Sequence, residues 1–363
     1  MRFHVLGLPH TVTNKEYCGC AFTQKALTLC KMLKMKGHYV IHYSNEGSTA
    51  ECDELVEIYK RDEVLQPENA LQFGTFVNES NEWNRRVSLE VGKRKQPRDF
   101  LMCPYPSHVH IASDHIKDMI VVESGIGYPS GFFAPFKIFE SYAIMHAYYG
   151  LIAVELGGRL EWYNRVIPNH FDKDDFIFDE YGKREDYLLF LGMRHGGASK
   201  GYTIARDAAR DAGIKLLVAG PDKLPEGEPD HVEHVGLLGV KERAELLSKA
   251  RALIAPSVFL EPFCGAQVEA FMSGTPVIST DWGAFVEYNI DGLTGFRCRT
   301  HKDFVEAIEN VKSLDPHEIR QYGLTFSLER VCKLYDKFAE EVMKIYDGNG
   351  GWYYLPGSPI PKE

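Results

Sequence analysis

Two glutamates, Glu261 and Glu269, stand eight residues apart in the stretch from Ile254 to Cys298, IAPSVFLEPFCGAQVEAFMSGTPVISTDWGAFVEYNIDGLTGFRC. A carboxylate accepts hydrogen bonds and repels phosphate, so the groups it suits are hydroxyls, such as those of a sugar and a ribose. Glu261 falls in a loop, and Glu269 lies about one turn inside a helix that starts near Ala266 and stops at Gly274. The unpaired N–H groups of a helix start favour an anion, and a loop glycine such as Gly265 lets a ligand approach the backbone. Upstream, Met193-Arg-His-Gly-Gly-Ala-Ser-Lys200-Gly places two cations around a glycine-rich loop. Arg194 can make a bidentate contact to a diphosphate, and Lys200 supplies a point charge. Each feature has a plainer reading, because paired glutamates are commonly solvated and many loops carry two basic residues. The flanking Pro256-Ser257, Gly274-Thr-Pro276 and buried runs on either side favour the ligand-binding reading.

These residues need elements to hold them. The apolar run ending at Pro256-Ser257, the loop, the helix and the run Pro276 to Ser279 form a strand–loop–helix–strand unit of an open parallel sheet. Such sheets bind ligands beyond the carboxyl ends of their strands. Strand Tyr187 to Gly192, helix Tyr202 to Ala212, strands Lys215 to Ala219 and Val232 to Val235, helix Lys241 to Ala250 and strand Ala252 to Ala255 continue the alternation. Amphipathic helices follow at His301 to Leu314 and Leu328 to Ile345.

The first half opens as βαβ, with strand Phe3 to Leu8, a helix from the Gly19 turn to Gly37 and strand Tyr39 to Tyr43, as in a Rossmann-like domain. Glu51 to Pro97 is polar and poorly periodic, with only Leu55 to Tyr59 suggesting a helix, and is read as a variable, acceptor-facing region. Asp118 to Glu123 reads as a buried strand leading into Gly125 and Gly127. Glu123 at its end is a candidate for acid/base work or sugar contact, the alternative being a turn cap. Phe136 to Tyr149 reads as an aromatic-rich helix carrying Glu140 and His146; His146 is a second acid/base candidate, although a lone helical histidine is more often a core or surface residue. Tyr163 to Asn169 is expected to be the last strand of the domain. In the following linker, Asp172-Lys-Asp174 imitates a metal-binding D-x-D and is read as hinge polarity.

Glu261-Pro-Phe-Cys-Gly-Ala-Gln-Val-Glu269-Ala, with Ser273-Gly-Thr-Pro-Val-Ile, Asp281-Trp-Gly-Ala-Phe and Asp291-Gly-Leu-Thr-Gly-Phe after it, resembles the E-x7-E signature of the family 4 retaining glycosyltransferases of GT-B architecture. The resemblance covers the second half well and the first half in outline. It implies an α/β protein of two facing Rossmann-like domains with an interdomain cleft: an acceptor-binding domain over 1–169, a nucleotide-sugar-binding domain over 170–345, and a tail over 346–363 packing back on the first. It further implies hexosyl or pentosyl transfer from a nucleoside-diphosphate sugar to an acceptor hydroxyl, with retained anomeric configuration. Glu261, Arg194 and Lys200 would then act at the reaction centre. Glu269, Phe263, Cys264, Gly265 and Ala266 would hold the donor, together with Leu237 near the nucleobase and Gly19 in the first glycine-rich loop. Two positions depart from the family pattern, since Cys264 and Cys20 stand where it has glycine.

The expected partners are the donor and an acceptor glycan or a modified base in nucleic acid, the latter prompted by the basic run Lys93 to Arg98. No cofactor and no metal are expected if Arg194 and Lys200 neutralise the leaving diphosphate. An epimerase of the same architecture, using Glu123 and His146, is the alternative enzyme, and a sugar-binding module the non-catalytic one. At 363 residues and 44% hydrophobic content the chain is expected to form two globular domains. Its net charge of −10 argues against non-specific nucleic-acid binding. The absence of a long apolar run or a signal-like N-terminus points to a cytoplasmic protein without integral membrane association. Eight scattered cysteines, Cys18-Gly-Cys20 among them, read as free thiols, and Asn78-Glu-Ser80 as a chance sequon.

Overall fold

The computed structural model describes residues 1–60, 63, 80–128, 132–153, 161, 163–180 and 182–347. The expected tail packing, apart from Tyr346 and Asp347, lies outside the described residues, as do Asn78 and Glu79 of the sequon and much of the stretch read as acceptor-facing. The chain divides into two compact units: 1–140 with 145–170 and 328–363, and 141–144 with 171–327.

The first unit is built on a sheet of β1 (Arg2–Leu6), β2 (Tyr39–Ser44), β3 (Glu54–Glu57), β4 (Phe100–Cys103), β5 (Ile120–Ile126), β6 (Phe136–Phe139) and β7 (Arg165–Val166), in the order β3-β2-β1-β4-β5-β6-β7. Every pairing is parallel. Its helices are α1 (Ala21–Met35), α2 (Ser80–Arg94), α3 (Val109–His115) and α4 (Tyr142–Ala153). Alternate residues of each strand feed opposite faces. Phe3, Val5, Phe100, Met102, Ile120 and Val122 join the core under α1. Leu6, Leu101, Cys103 and Val121 join the core under α2 and α3.

The second unit has the six-stranded order β10-β9-β8-β11-β12-β13, again all parallel. Its strands are β8 (Tyr187–Leu191), β9 (Lys215–Ala219), β10 (Val232–Gly236), β11 (Ala252–Ala255), β12 (Val277–Thr280) and β13 (Gly295–Cys298). The helices are α5 (Tyr202–Asp211), α6 (Val240–Lys249), α7 (Gly265–Met272), α8 (Phe285–Tyr288), α9 (His301–Asn310) and α10 (Pro316–Gly323). Leu188, Phe190, Leu216, Val218 and Ile254 pack in one core with α5 and α9. Tyr187, Leu189, Leu217, Leu253 and Val277 pack in the other with α7.

Four elements differ from expectation. Residues 136–139 form β6, not the start of a helix. This strand, Phe-Lys-Ile-Phe, is buried at every position and so shows no inside-outside alternation, and the boundary with the following helix is marked by Ser141, whose Oγ accepts from the Ile144 N–H at 3.2 Å. Around Leu55 the chain is the edge strand β3, whose burial alternates from exposed Leu55 to buried Val56 and, just beyond it, Ile58. The stretch read as irregular contains α2, whose apolar stripe is narrow, with buried Trp83, Val87 and Val91 recurring every four residues. The last helix, α11 (Leu328–Tyr346), was assigned to the second domain but belongs to the first unit, where Val331, Tyr335, Phe338 and Val342 complete the core beside α1. There Asp336 binds His38 at 3.0 Å and Glu341 binds Arg165 at 3.1 Å. Among the described residues no helix is long and apolar enough to cross a membrane.

Candidate functional site

In the second sheet the strand order reverses between β8 and β11, and it is at such reversals, beyond the carboxyl ends of the strands, that open parallel sheets bind ligands. The loop after β8 carries Arg194 and Lys200, and the loop after β11 carries Ser257 and Glu261. They touch through the backbone, Val258 N–H donating to Ser199 O at 3.0 Å. Gly201 makes this approach possible: it adopts φ 76°, and a Cβ there would lie 2.0 Å from Pro256 O. The result is an ion pair in which Lys200 Nζ donates to both oxygens of Glu261, at 3.1 and 2.9 Å, while lying 4.6 Å from the centre of the Phe259 ring.

Glu261 is 4% exposed and is held from several sides. Ser257 Oγ donates to Oε2 at 2.8 Å. Its backbone oxygen accepts from Ala284 N–H at 3.0 Å, in the loop after β12. That loop also grips Ser257, whose carbonyl accepts from Thr280 Oγ1 at 2.8 Å and from Trp282 Nε1 at 3.0 Å. Glu269 sits in the second turn of α7, as its spacing predicts, and pairs with Arg243 Nε of α6 at 2.6 Å.

The turn between these glutamates is tight. α7 begins at Gly265, one residue before the expected start, with Cys264 as its N-cap at φ 66°, ψ 80°. This left-handed conformation suits glycine and costs an ordinary L-residue about 1–2 kcal/mol. Burial, and then the nearby Glu261 charge, push the Cys264 thiol up to about 12, so it stays protonated at neutral pH. The Phe263 ring is buried against Tyr288 at 5.0 Å and Phe326 at 6.0 Å, and anchors the loop in the core.

Arg194 lies at the other end of the Lys200 loop with an exposed side chain, before a short turn at His195–Gly197. Leu237 is half-buried in the loop between β10 and α6, and Gly19 is exposed in the turn before α1, in the first unit. Glu123 is inside β5, which runs on to Ile126, and not at the strand's end. It is fully buried and accepts from Tyr128 OH at 2.8 Å, Phe133 N–H at 2.9 Å and Ala134 N–H at 3.0 Å. These bonds tie it to Tyr128 and to the backbone ahead of β6, with burial raising its pKa. His146 is exposed on α4. Asp172 accepts from Asp174 N–H at 3.3 Å and so caps its own turn. Among the described residues no group of three or more His, Cys, Asp and Glu could hold a metal ion.

The first unit has its own reversal, between β1 and β4. The loops there bring together His10 and Tyr105 at 5.5 Å and Phe22 and Tyr105 at 5.2 Å, with Cys20 Sγ 3.9 Å from His10 Nε2. His108 Nε2–H donates to Gly7 O at 2.9 Å, tying the two loops together. Sequence reasoning missed this aromatic set, along with Ser257 and Arg243. Arg243 stands in the first turn of a helix that was foreseen, but nothing in one helix names its partner on another.

Residues 173–323 match the family model described as glycosyl transferases group 1. The second unit is a group 1 glycosyltransferase domain. It holds both ion pairs and all three converging loops. The chain is 28% identical over 211 residues to alpha-maltose-1-phosphate synthase of Mycolicibacterium smegmatis, covering 51% of this chain and 53% of that protein. It is 27% identical over 172 residues to phosphatidyl-myo-inositol mannosyltransferase of Mycobacterium leprae, covering 44% and 46%. The chain thus spans about half the length of the curated relatives it matches. AviGT4, a glycosyltransferase involved in avilamycin A biosynthesis, superposes with a TM-score of 0.67 at 18% identity over 94% of this chain and 98% of that one, which supports the GT-B fold.

Proposed function

We propose that the protein is a retaining glycosyltransferase that takes a sugar from a nucleoside-diphosphate donor bound by its second unit and passes it to an acceptor hydroxyl. The observation that carries this reading is the pairing of Lys200 with Glu261 at the reversal of the second sheet, beside the N-terminus of α7. A cation and a carboxylate on adjoining loops match the two ends of such a donor: Lys200 meets the departing diphosphate, and Glu261 accepts from hydroxyls of the transferred sugar. Glu269, oriented by Arg243, receives the ribose. The diphosphate leaves on Lys200, Arg194 and the α7 N–H groups, so its charge is met without a metal. The aromatic set at the reversal of the first sheet offers stacking faces for a sugar acceptor, the class favoured here over a base in DNA given the net charge of −10. The epimerase alternative loses support, since Glu123 is engaged by its own turn.

The test is incubation with a panel of nucleoside-diphosphate sugars, with and without simple glycan acceptors. Release of nucleoside diphosphate that rises with acceptor, and a product of unchanged anomeric configuration by NMR, is the expected result. Isomerised donor without release would establish the epimerase, and an inverted product would overturn retention.

A further inference from the structure

We infer that Ser257 is a positioning residue for Glu261, keeping its carboxylate aimed when Lys200 turns to the diphosphate. The inference rests on the reading of Glu261 as the sugar-facing carboxylate. In the structure Lys200 spans both oxygens of Glu261, an arrangement that cannot persist unchanged once the same ammonium meets a diphosphate. Lys200 is suited to that exchange, since its side chain is 35% exposed and belongs to a glycine-rich loop. Ser257 is not, being 1% exposed with its carbonyl fixed by Thr280 and Trp282. A serine hydroxyl has one proton, and here it goes to Oε2 at 2.8 Å. When Lys200 withdraws, Oε2 stays tethered and Oε1 is left to accept from the sugar. The 280–284 loop sets the distance, because it holds the carbonyls of both residues.

A double-mutant cycle tests this. Ser257→Ala should lower kcat about tenfold or more, in line with loss of a hydrogen bond to a charged group. Donor KM and nucleoside-diphosphate affinity should stay within about twofold, and the same substitution should change nothing in a Glu261→Ala background. An equal further loss in that background, or an unchanged kcat, would overturn the inference. Ser257→Cys keeps the volume and weakens the donor, and serves if the alanine variant does not fold. Crystal structures of wild type and variant decide the point apart from activity. With nucleoside diphosphate bound in both crystals, a carboxylate that leaves its present position in the variant alone supports the inference, and one that stays refutes it. A wild type that releases no nucleoside diphosphate while its variant loses the carboxylate position would sink the transfer reading alone.

Discussion

The two sheets reverse their strand order in the same way, yet they furnish the two reversals oppositely. In the second unit the adjoining loops carry opposite charges, a partly exposed Lys200 against a buried Glu261. In the first, the loops and the first turn of α1 carry rings, with His10, Phe22 and Tyr105 within 5.5 Å of a neighbour. Its nearby opposite charges are buried: Lys25 of α1 donates to Gly125 O at 2.9 Å and pairs with Glu140 beyond β6. One architecture therefore carries a charged reversal and an aromatic one. The difference lies in a handful of loop residues and in how far the charges are sunk.

The largest expected effect breaks the comparison at Lys25. Removing one member of a buried ion pair leaves an uncompensated charge, so Lys25→Met should destabilise the protein by about 3–5 kcal/mol, read from denaturant melts. Lys200→Met removes a partly exposed lysine and leaves the buried Glu261 carboxylate the Ser257 hydroxyl, so it should cost less, about 1–3 kcal/mol. Equal losses would mean that both pairs are structural. For turnover the order reverses: Lys200→Ala should slow transfer by about a hundredfold or more, as when one transition-state donor is removed, with activity surviving EDTA. Abolition by EDTA with rescue by magnesium or manganese would show that a metal, and not Lys200, meets the diphosphate.

That contrast was only half legible in the sequence. Glu261 and Glu269 announce themselves because both lie within one strand–loop–helix unit, where local spacing dictates three-dimensional placement. The Lys200 loop was legible for the same reason. Partners on other segments were not: Arg243 meets Glu269 through helix packing, and Ser257 reads as part of a turn until its hydroxyl is seen 2.8 Å from a carboxylate. In the first unit, strand β6 was hidden by burial on both faces and α2 by a stripe only one residue wide. Glu123 misled because a carboxylate near two glycines looks exposed in one dimension, whereas Tyr128 and the backbone of Phe133 and Ala134 bind and bury it.

Smaller effects sharpen the division of labour. Glu269→Ala should weaken nucleoside-diphosphate affinity by about ten- to a hundredfold through loss of a charged hydrogen bond. Arg243→Ala should do so less, since it orients Glu269 and does not itself meet the ligand. Calorimetric titration showing unchanged affinity in Glu269→Ala would remove the ribose assignment. Tyr105→Ala should raise acceptor KM several-fold, aromatic contacts contributing about 0.5–1.5 kcal/mol, while nucleotide affinity holds. A shift in nucleotide affinity instead would end the assignment of the ring set to the acceptor.

The smallest effect concerns the backbone that sets the donor loop. Cys264 holds φ 66° where glycine would be relaxed, and the residue is half-buried. Cys264→Gly relieves about 1–2 kcal/mol of left-handed strain, but it frees the unfolded chain by about 0.4–1 kcal/mol and loses buried sulfur worth a similar amount. These terms nearly cancel, so the variant should melt within about 2 °C of wild type. Cys264→Val keeps the strain and adds a β-branched side chain to a conformation that such residues rarely adopt, so it should be clearly less stable. If the two variants melt together, the loop relaxes freely around position 264, and the conformation seen at the start of α7 is not imposed by the fold.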